Sequence, residues 1–574
     1  MMPYPPRLPA ALRWTACVVL ALQLAGCATA PGGSGDSKAA STTAAPKGES
    51  EALMAAENAL RDGDCRGAAE NYLAAARAST DAAAAMRASQ LAVGCEQFTT
   101  ARLATQRWLE LDPWSGDAAL TSALVALKRY DLKEARKALT SWRDSGSAGS
   151  QDPLRFAELL QQETDATAVY RVFGDVLVND DSTSEVLLAE ARLAMAANNM
   201  KVARAAAERA LVLDSDLVEA RIIILRAMSV QGDHDAAIEG ARALRGVLEG
   251  EDVFLVSDLL TAADRNEEAR KELEPLAAES ETKLGAERRL IAMSMQEGDF
   301  AAAEERLKPL MGERGTTALA ILVMAQLSEQ KGDDARAMQS YQLLADSSLA
   351  LTARRAAARL LLKHGDKKNA LMLLDEYAAQ NPEARVETGA SRAQLLVQAG
   401  DLPGALQGLD ELDEAYPDHP DLEYQRATVL ESGGRTRDAI AVFERAQKAR
   451  PDDPQLSNAL GFTLADHNQK LGKAEELVRH ALSVSPDSPA IQDSLGWVLF
   501  RRGKLNDALP ILKRAWHNSG DSEIAAHYGE ALWKSGDQGQ ARYIWQQALN
   551  TDPSHAGLRA TMSRLTGEEV GTPQ

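Results

Sequence analysis

Few residues of this chain are equipped for covalent or metal chemistry, and their spacing restricts what they could do. The eight histidines are scattered: His467 and His480 fall one per helical segment, and His517 and His527 fall in separate segments. None has a cysteine or a second histidine at metal-ligand spacing. No H-E-x-x-H, G-x-S-x-G, Walker or calcium loop occurs, and Gly32-Gly33-Ser34-Gly35 has no strand or helix beside it to aim its amides at a phosphate. No metal, cofactor or catalytic residue is therefore expected. Four thiols remain. Cys17 and Cys27 lie within and just after an apolar N-terminal run, while Cys65 and Cys95 are candidates for a disulfide in an oxidising compartment. The alternative for the second pair is two small buried thiols, because spacing does not set Cβ geometry.

Arg7 and Arg13 precede the apolar run over residues 14–24, which is too short for a permanent span and has the charge layout of a secretory signal. It ends in Leu24-Ala25-Gly26-Cys27, which resembles a bacterial lipobox, cut before the cysteine once that thiol is diacylated. Residues 1–26 are thus expected to be removed and Cys27 to be the lipidation site. Acyl chains contribute about 0.8 kcal/mol per buried methylene, so a multiply acylated cysteine is a stable anchor. Ala28 rather than Asp follows, which in the lipoproteins this resembles favours the outer membrane. Residues 28–50, rich in Gly, Ser, Thr, Ala and Pro, read as a flexible linker with a reach of roughly 25 Å. The expected location is the outer membrane, lipid-anchored, with the remaining chain in the periplasm.

The elements that must carry everything else come from a repeat. An alanine followed four residues later by a bulky residue recurs fifteen times, at Ala68, Ala101, Ala135, Ala168, Ala203, Ala237, Ala269, Ala303, Ala337, Ala370, Ala405, Ala439, Ala474, Ala508 and Ala541, with spacings of 32 to 35. Pro382, Pro417, Pro451, Pro486 and Pro553 each lie twelve residues after their anchor. Leu460-Gly461, Leu495-Gly496 and Tyr528-Gly529 supply a small residue where two helices touch, and Gly232-Asp233, Gly298-Asp299, Gly365-Asp366, Gly400-Asp401 and Gly536-Asp537 end one helix and cap the next. This pattern resembles the tetratricopeptide repeat. The resemblance covers residues 51 to about 565; the last four repeats carry the signature residues, and the fourth and seventh carry fewest. It implies an all-α solenoid of about fifteen hairpins, each covering the apolar face of the next, coiled through about two superhelical turns. Residues 51–345 form the divergent N-terminal repeats, 346–565 the C-terminal repeats and 566–574 a tail. In this register Cys65 and Cys95 sit between the two helices of adjacent hairpins, where neighbouring loops lie side by side.

In tetratricopeptide folds the first helix of each hairpin lines the concave face. The register then assigns Tyr424, Asn458, Phe462, Asp493, Trp497, Phe500, Glu523, Glu530 and Trp533 to a C-terminal groove. Aromatic side chains there bury much area at low entropic cost and suit partner binding; the alternative for Phe462 and Trp497 is packing between helices. Replacing Trp497 and Trp533 by alanine is expected to weaken partner binding and leave melting unchanged. Trp516 and Trp545, on second helices, are expected in the core.

Charge narrows the partners. With 63 Lys plus Arg against 83 Asp plus Glu the chain carries −20, and loss of Arg7 and Arg13 takes it to −22. Such a surface repels phosphate backbones and anionic lipid heads, so no nucleic acid is expected and the membrane is met through the lipid anchor only. The basic clusters Arg435, Arg437, Arg445, Lys448, Arg450 and Arg501, Arg502, Lys504 read as solvated helix faces. Fifteen repeats leave no separate catalytic domain, so the chain is not expected to be an enzyme. Its C-terminal blocks, with lipobox and length, are similar to a group of outer-membrane tetratricopeptide lipoproteins. One class of that group partners a periplasmic carboxyl-terminal processing protease and presents cell-wall hydrolases to it. The resemblance implies an adaptor for such a protease and its hydrolase clients; the alternative is a structural scaffold of an envelope assembly or secretion machine.

Overall fold

The computed structural model describes residues 48–145, 153–312, 317–552 and 555–568. The signal segment, Cys27, the linker up to residue 47, Pro553 and residues 569–574 lie outside the described residues. Among the described residues there are 31 α-helices and no strand. Thirty of them pair as fifteen hairpins, from Glu49–Arg61 with Cys65–Ala78 to Ser522–Ser535 with Gln538–Thr551, and Ala556–Thr566 lies over the last hairpin.

The repeat pattern explains the pairing. All fifteen anchor alanines sit near the start of second helices and are at most 1% exposed. Only a methyl fits where the two helices cross. In the last three hairpins the first helix goes further and offers glycine. A Cβ on Gly461 would come 2.5 Å from the Val478 side chain and 3.0 Å from the Ala474 carbonyl, and one on Gly496 would come 2.5 Å from Leu512. One on Gly529 would overlap the Trp545 ring. The hairpin turns follow the local signals: Gly365 and Gly536 adopt φ of +80° and +97°, and the Asp366 and Asp537 side chains accept from the amides of Asn369 and Gln540. The seventh hairpin departs most, its first helix shortened to Leu255–Ala262 behind a 3-10 stretch, Gly250–Phe254.

The superhelix also touches itself. Turns inside the early hairpins meet the turns between the late ones along a seam. Gln97 Nε2 donates to the Ala415 carbonyl (2.9 Å), Thr99 Oγ1 to Asp418 Oδ2 (2.8 Å) and the Arg66 guanidinium to the Glu414 carbonyl. Arg171 donates to both the carbonyl (3.0 Å) and the carboxylate (3.1 Å) of Asp452. Asp487 is held twice, its amide donating to the Asn198 carbonyl (2.9 Å) and its Oδ2 accepting from the Met200 amide (2.8 Å). Further along, His517 Nδ1 lies 3.2 Å from Asp264 Oδ2, and helix Lys283–Gln296 packs on Gln538–Thr551. The second turn of the coil therefore rests on the first.

Four residues at this seam, Glu96, Tyr130, Asn198 and Asp264, hold φ between +55° and +57°, where most other hairpin turns use glycine and one uses Asn468. A non-glycine residue is strained there. At three of the four, a contact across the seam comes with that strain: Glu96 lies 3.7 Å from His419, the Asn198 carbonyl receives Asp487, and Asp264 meets His517.

Candidate functional site

Four consecutive first helices build the C-terminal concave face: Pro420–Ser432, Pro454–Asp466, Pro489–Arg501 and Ser522–Ser535. Three begin with proline, whose missing N–H costs nothing at a first helical position. His419, Asp453 and Asp521 side chains accept from the amides that follow. Tyr424, Asn458 and Asp493 thereby come to equivalent positions on successive helices, near the middle of the wall.

The centre of the site is Asp493, which is fully buried. Its Oδ2 lies 2.8 Å from Nδ1 of His527, exactly one helix over in the stack and 34 residues on. The Trp497 ring stacks on His527 with centroids 4.2 Å apart, Phe462 lies 5.7 Å from the same imidazole, and Phe500 stacks on Trp497 at 5.2 Å. Trp497 Nε1 donates to Asp466 Oδ1 (3.2 Å) and the Arg501 guanidinium sits 5.4 Å over the indole. One ionisable pair thus lies among aromatic rings from two repeats. Burial pushes the Asp493 carboxyl up; for His527 burial pulls the other way, but the adjacent Asp493 carboxylate prevails and raises it. Both shifts run upward, although the His527 imidazole pulls the Asp493 carboxyl down against its burial. Burial, aided by Glu431, Asp453 and Glu523, pushes the Tyr424 phenol up to about 12. Glu431 is raised by burial against the opposing pull of Thr463 and His467.

Two acceptors stand out. Asn458 is 6% exposed and Asp493 is 0% exposed, yet Asn458 Oδ1 and Asp493 Oδ1 have no hydrogen-bond partner. Ser457 Oγ and Gln492 Oε1 on the same two helices are likewise buried without a partner; a buried polar atom left unsatisfied costs about 1–3 kcal/mol.

Several expected groove residues sit differently from the register's assignment. Trp497 is 5% exposed and belongs to the continuous C-terminal core, because His527 on the neighbouring first helix stacks on it. Trp533 is half-buried and turned onto its own hairpin, stacking on Trp545 at 5.7 Å with Arg542 5.4 Å above it. Both therefore pack the fold, so the expectation that their removal would leave melting unchanged is corrected. Phe462 and Phe500 are half-buried against the same core, and Tyr424 meets Phe443 edge-on at 5.7 Å. Glu530 is tied to Arg564 (2.5 Å). Trp545 is fully buried as expected, whereas Trp516 is only half-buried. His527, which sequence reading passed over, is central; its signal was its place one repeat period after Asp493.

The basic clusters are not bare faces either. Arg502 and Lys504 both reach Glu475, Arg445 pairs with Glu423 (2.8 Å), and Arg450 with Asp453 (3.2 Å). At the other end of the chain Cys65 and Cys95 are bonded, with Cα atoms 5.7 Å apart, joining the turns of the first two hairpins. Among the described residues no group of three or more His, Cys, Asp or Glu is placed to hold a metal ion, and no helix is long and apolar enough to cross a membrane.

Comparison with known proteins agrees with this architecture. A tetratricopeptide-repeat family pattern matches residues 396–461. A TPR repeat-containing protein of Pseudomonas aeruginosa is 31% identical over 251 residues, 43% of this chain and 42% of that protein. Cellulose synthase operon protein C of Salmonella typhimurium is 26% identical over 211 residues, 37% of this chain and 15% of that protein. The chain thus spans less than half the length of these relatives. Among solved structures, yeast Tom70 shares 12% identity with a TM-score of 0.36, covering 90% of this chain and 95% of that one. The Cut9 and Hcn1 assembly shares 14% with a TM-score of 0.30, covering 90% and 96%. The fold is a tetratricopeptide-repeat solenoid, an architecture for binding other proteins.

Proposed function

We propose that this protein is a membrane-tethered adaptor. A lipid anchor at Cys27 would hold the coil on the periplasmic side of the outer membrane, and the coil would bind a periplasmic carboxyl-terminal processing protease together with its cell-wall hydrolase clients. The seam is the observation that carries this reading. Because the second turn of the coil rests on the first, the two turns are held together as one body on which two proteins could be bound side by side. Tethering both to one solenoid raises their effective concentration without any new contact between them. The consequence would be control of peptidoglycan hydrolysis through degradation of the hydrolases.

The test is a pull-down from periplasmic extract with the soluble form starting at Ala28, analysed by mass spectrometry. Recovery of a processing protease and wall hydrolases supports the adaptor. The likeness to part of a cellulose synthase operon protein favours a second reading, a scaffold of an envelope assembly. Recovery of barrel proteins or secretion components, without protease or hydrolases, would select that reading and sink the adaptor.

A further inference from the structure

We propose that the Cys65–Cys95 disulfide is a redox-controlled latch. A dithiol reductant opens it by thiol–disulfide exchange, and the first two hairpins then release the turn at residues 414–419 on the second turn of the coil. The proposal rests on the adaptor reading only for its purpose, which is to free the start of the coil for loading a client.

The residues that grip this turn are the sequence neighbours of the two cysteines. Arg66, next to Cys65, donates to the Glu414 carbonyl. On the Cys95 side Glu96 lies 3.7 Å from His419, Gln97 Nε2 donates to the Ala415 carbonyl (2.9 Å), the Phe98 ring lies 5.3 Å from the His419 imidazole, and Thr99 Oγ1 donates to Asp418 Oδ2 (2.8 Å). The two hairpin turns are thus two jaws on one object, and the disulfide, with Cα atoms 5.7 Å apart, joins the jaws. Gln97 shows how far the second jaw is given over to the seam. It stands at the N-cap, where Asp64, Asp131, Asp299 and Asp366 cap their helices, and it makes no cap bond. The other seam contacts, at Arg171, Asn198 and Asp264, lie far from either cysteine, so only this corner is under the control of the disulfide.

Glu96 holds φ at +55°, a left-handed backbone that is strained for a residue with a side chain. Such a conformation persists only where its surroundings fix it. Here the disulfide at Cys95 fixes one side and His419 the other, so cutting the disulfide lets the turn relax and takes its donors out of line. Packing between the jaws is a poor substitute, because the cluster shared by the first two hairpins consists mostly of alanine and the end of a chain frays unless it is tied down. Cys65 is half-buried and Cys95 is 6% exposed, so the incoming thiolate attacks Cys65 Sγ. The bond between the two sulfurs breaks, Cys95 leaves as a thiolate that takes up a proton, and a mixed disulfide forms at Cys65. The second thiolate of the reductant resolves it; Cys65 leaves and takes up the other proton, and the reductant departs as its own disulfide. Two electrons and two protons pass to the protein, and no further co-reactant is needed.

The experiment measures hydrogen exchange at residues 412–420 of the purified protein before and after dithiothreitol, with alkylation and mass spectrometry counting the free thiols of Cys65 and Cys95. The reporters are the amides of Tyr416 and His419, bonded to the Leu412 and Tyr416 carbonyls. Reduction should speed their exchange about tenfold, and reoxidation should restore it. Residues 450–456 and 485–489, at the other seam contacts, should not change. Gln97→Ala with Thr99→Val removes two grips and leaves both cysteines; it should raise exchange at 412–420 without reductant and leave dithiothreitol less than about a twofold effect. If that variant is unstable, Cys65→Ala with Cys95→Ala serves instead, exchanging fast at 412–420 with or without dithiothreitol. Unchanged exchange at 412–420 with both thiols free overturns the proposal. So does an equal rise at 450–456 and 485–489, or the presence of both thiols in protein that has met no reductant. A responsive latch in protein that recovers neither protease nor hydrolase would sink the adaptor and leave the latch. An unresponsive seam in protein that recovers both would do the reverse.

Discussion

The two ends of the solenoid are held by different means. From Ala427 to Leu558 the buried apolar side chains form one continuous core, whereas the chain before it is divided among several separate clusters. Gly461, Gly496 and Gly529 let Val478, Leu512 and Trp545 nest against the facing backbone within each hairpin, and rings such as Trp497 and Phe462 meeting His527 join one hairpin to the next. Early hairpins are alanine-rich, as in Ala82–Gly94, and their buried side chains form separate clusters that each join only neighbouring hairpins. There the chain adds a disulfide between the first two hairpins and leans its turns on the C-terminal half along the seam. Stability in a solenoid is a sum of neighbour interfaces; here that sum is uneven, and the weaker end borrows from the stronger.

The largest effect should come from the core itself. Trp545→Ala should cost about 3–5 kcal/mol and, by hydrogen-exchange mass spectrometry, strip protection from residues 420–566 together. Trp142→Ala, also buried and stacked on Phe156 at 4.2 Å, should lose protection only around residues 116–196. Equally local losses in both variants would erase the distinction between one core and many.

Next in size is the disulfide. Cys65→Ser with Cys95→Ser should cost about 2–4 kcal/mol, confined to the first two hairpins, with exchange beyond residue 420 unchanged. A global loss would mean that the first hairpins support the whole coil.

The seam should be worth less per contact. Arg171→Ala with Asp487→Ala removes three side-chain hydrogen bonds across it and should cost about 1–2 kcal/mol per side chain. The radius of gyration by small-angle X-ray scattering should increase while far-UV circular dichroism stays constant. An unchanged radius would show that the hairpin interfaces alone set the coil.

The smallest effect is a pH dependence at the same seam. Burial pushes Asp453 up to about 6, against the pull of Arg450. A carboxyl whose folded value lies above its unfolded one gives stability that is complete below about pH 4 and lost as pH rises through 6. Lowering pH from 7 to 5 should therefore strengthen local protection around residues 450–456 by about 1 kcal/mol. Asp453→Asn, which can still cap the helix, should abolish that rise; a rise that survives would assign it to another group.

Much of the fold was legible because its signals are local. All fifteen anchors are buried, since an alanine at a helix crossing is a requirement of each hairpin by itself. The turn glycines and capping aspartates could be read for the same reason. The site was legible only in part. Its register placed Asn458 and Asp493 on one wall, but which aromatic turns outward depends on what the next repeat presents, and Trp497 was claimed by His527 from the neighbouring helix.

The sequence by itself determined the repeat, the hairpin and the order of helices, because each rests on contacts within about one period, 32 to 35 residues. The tertiary structure alone decided the seam, which joins residues such as Gln97 and Ala415, 318 positions apart. Small rotations between repeats accumulate around the coil before those turns can meet. No local pattern encodes their sum, and its traces in the chain, Glu96, Asn198 and Asp264 in turns where glycine would be easier, become readable only once their partners across the seam are known.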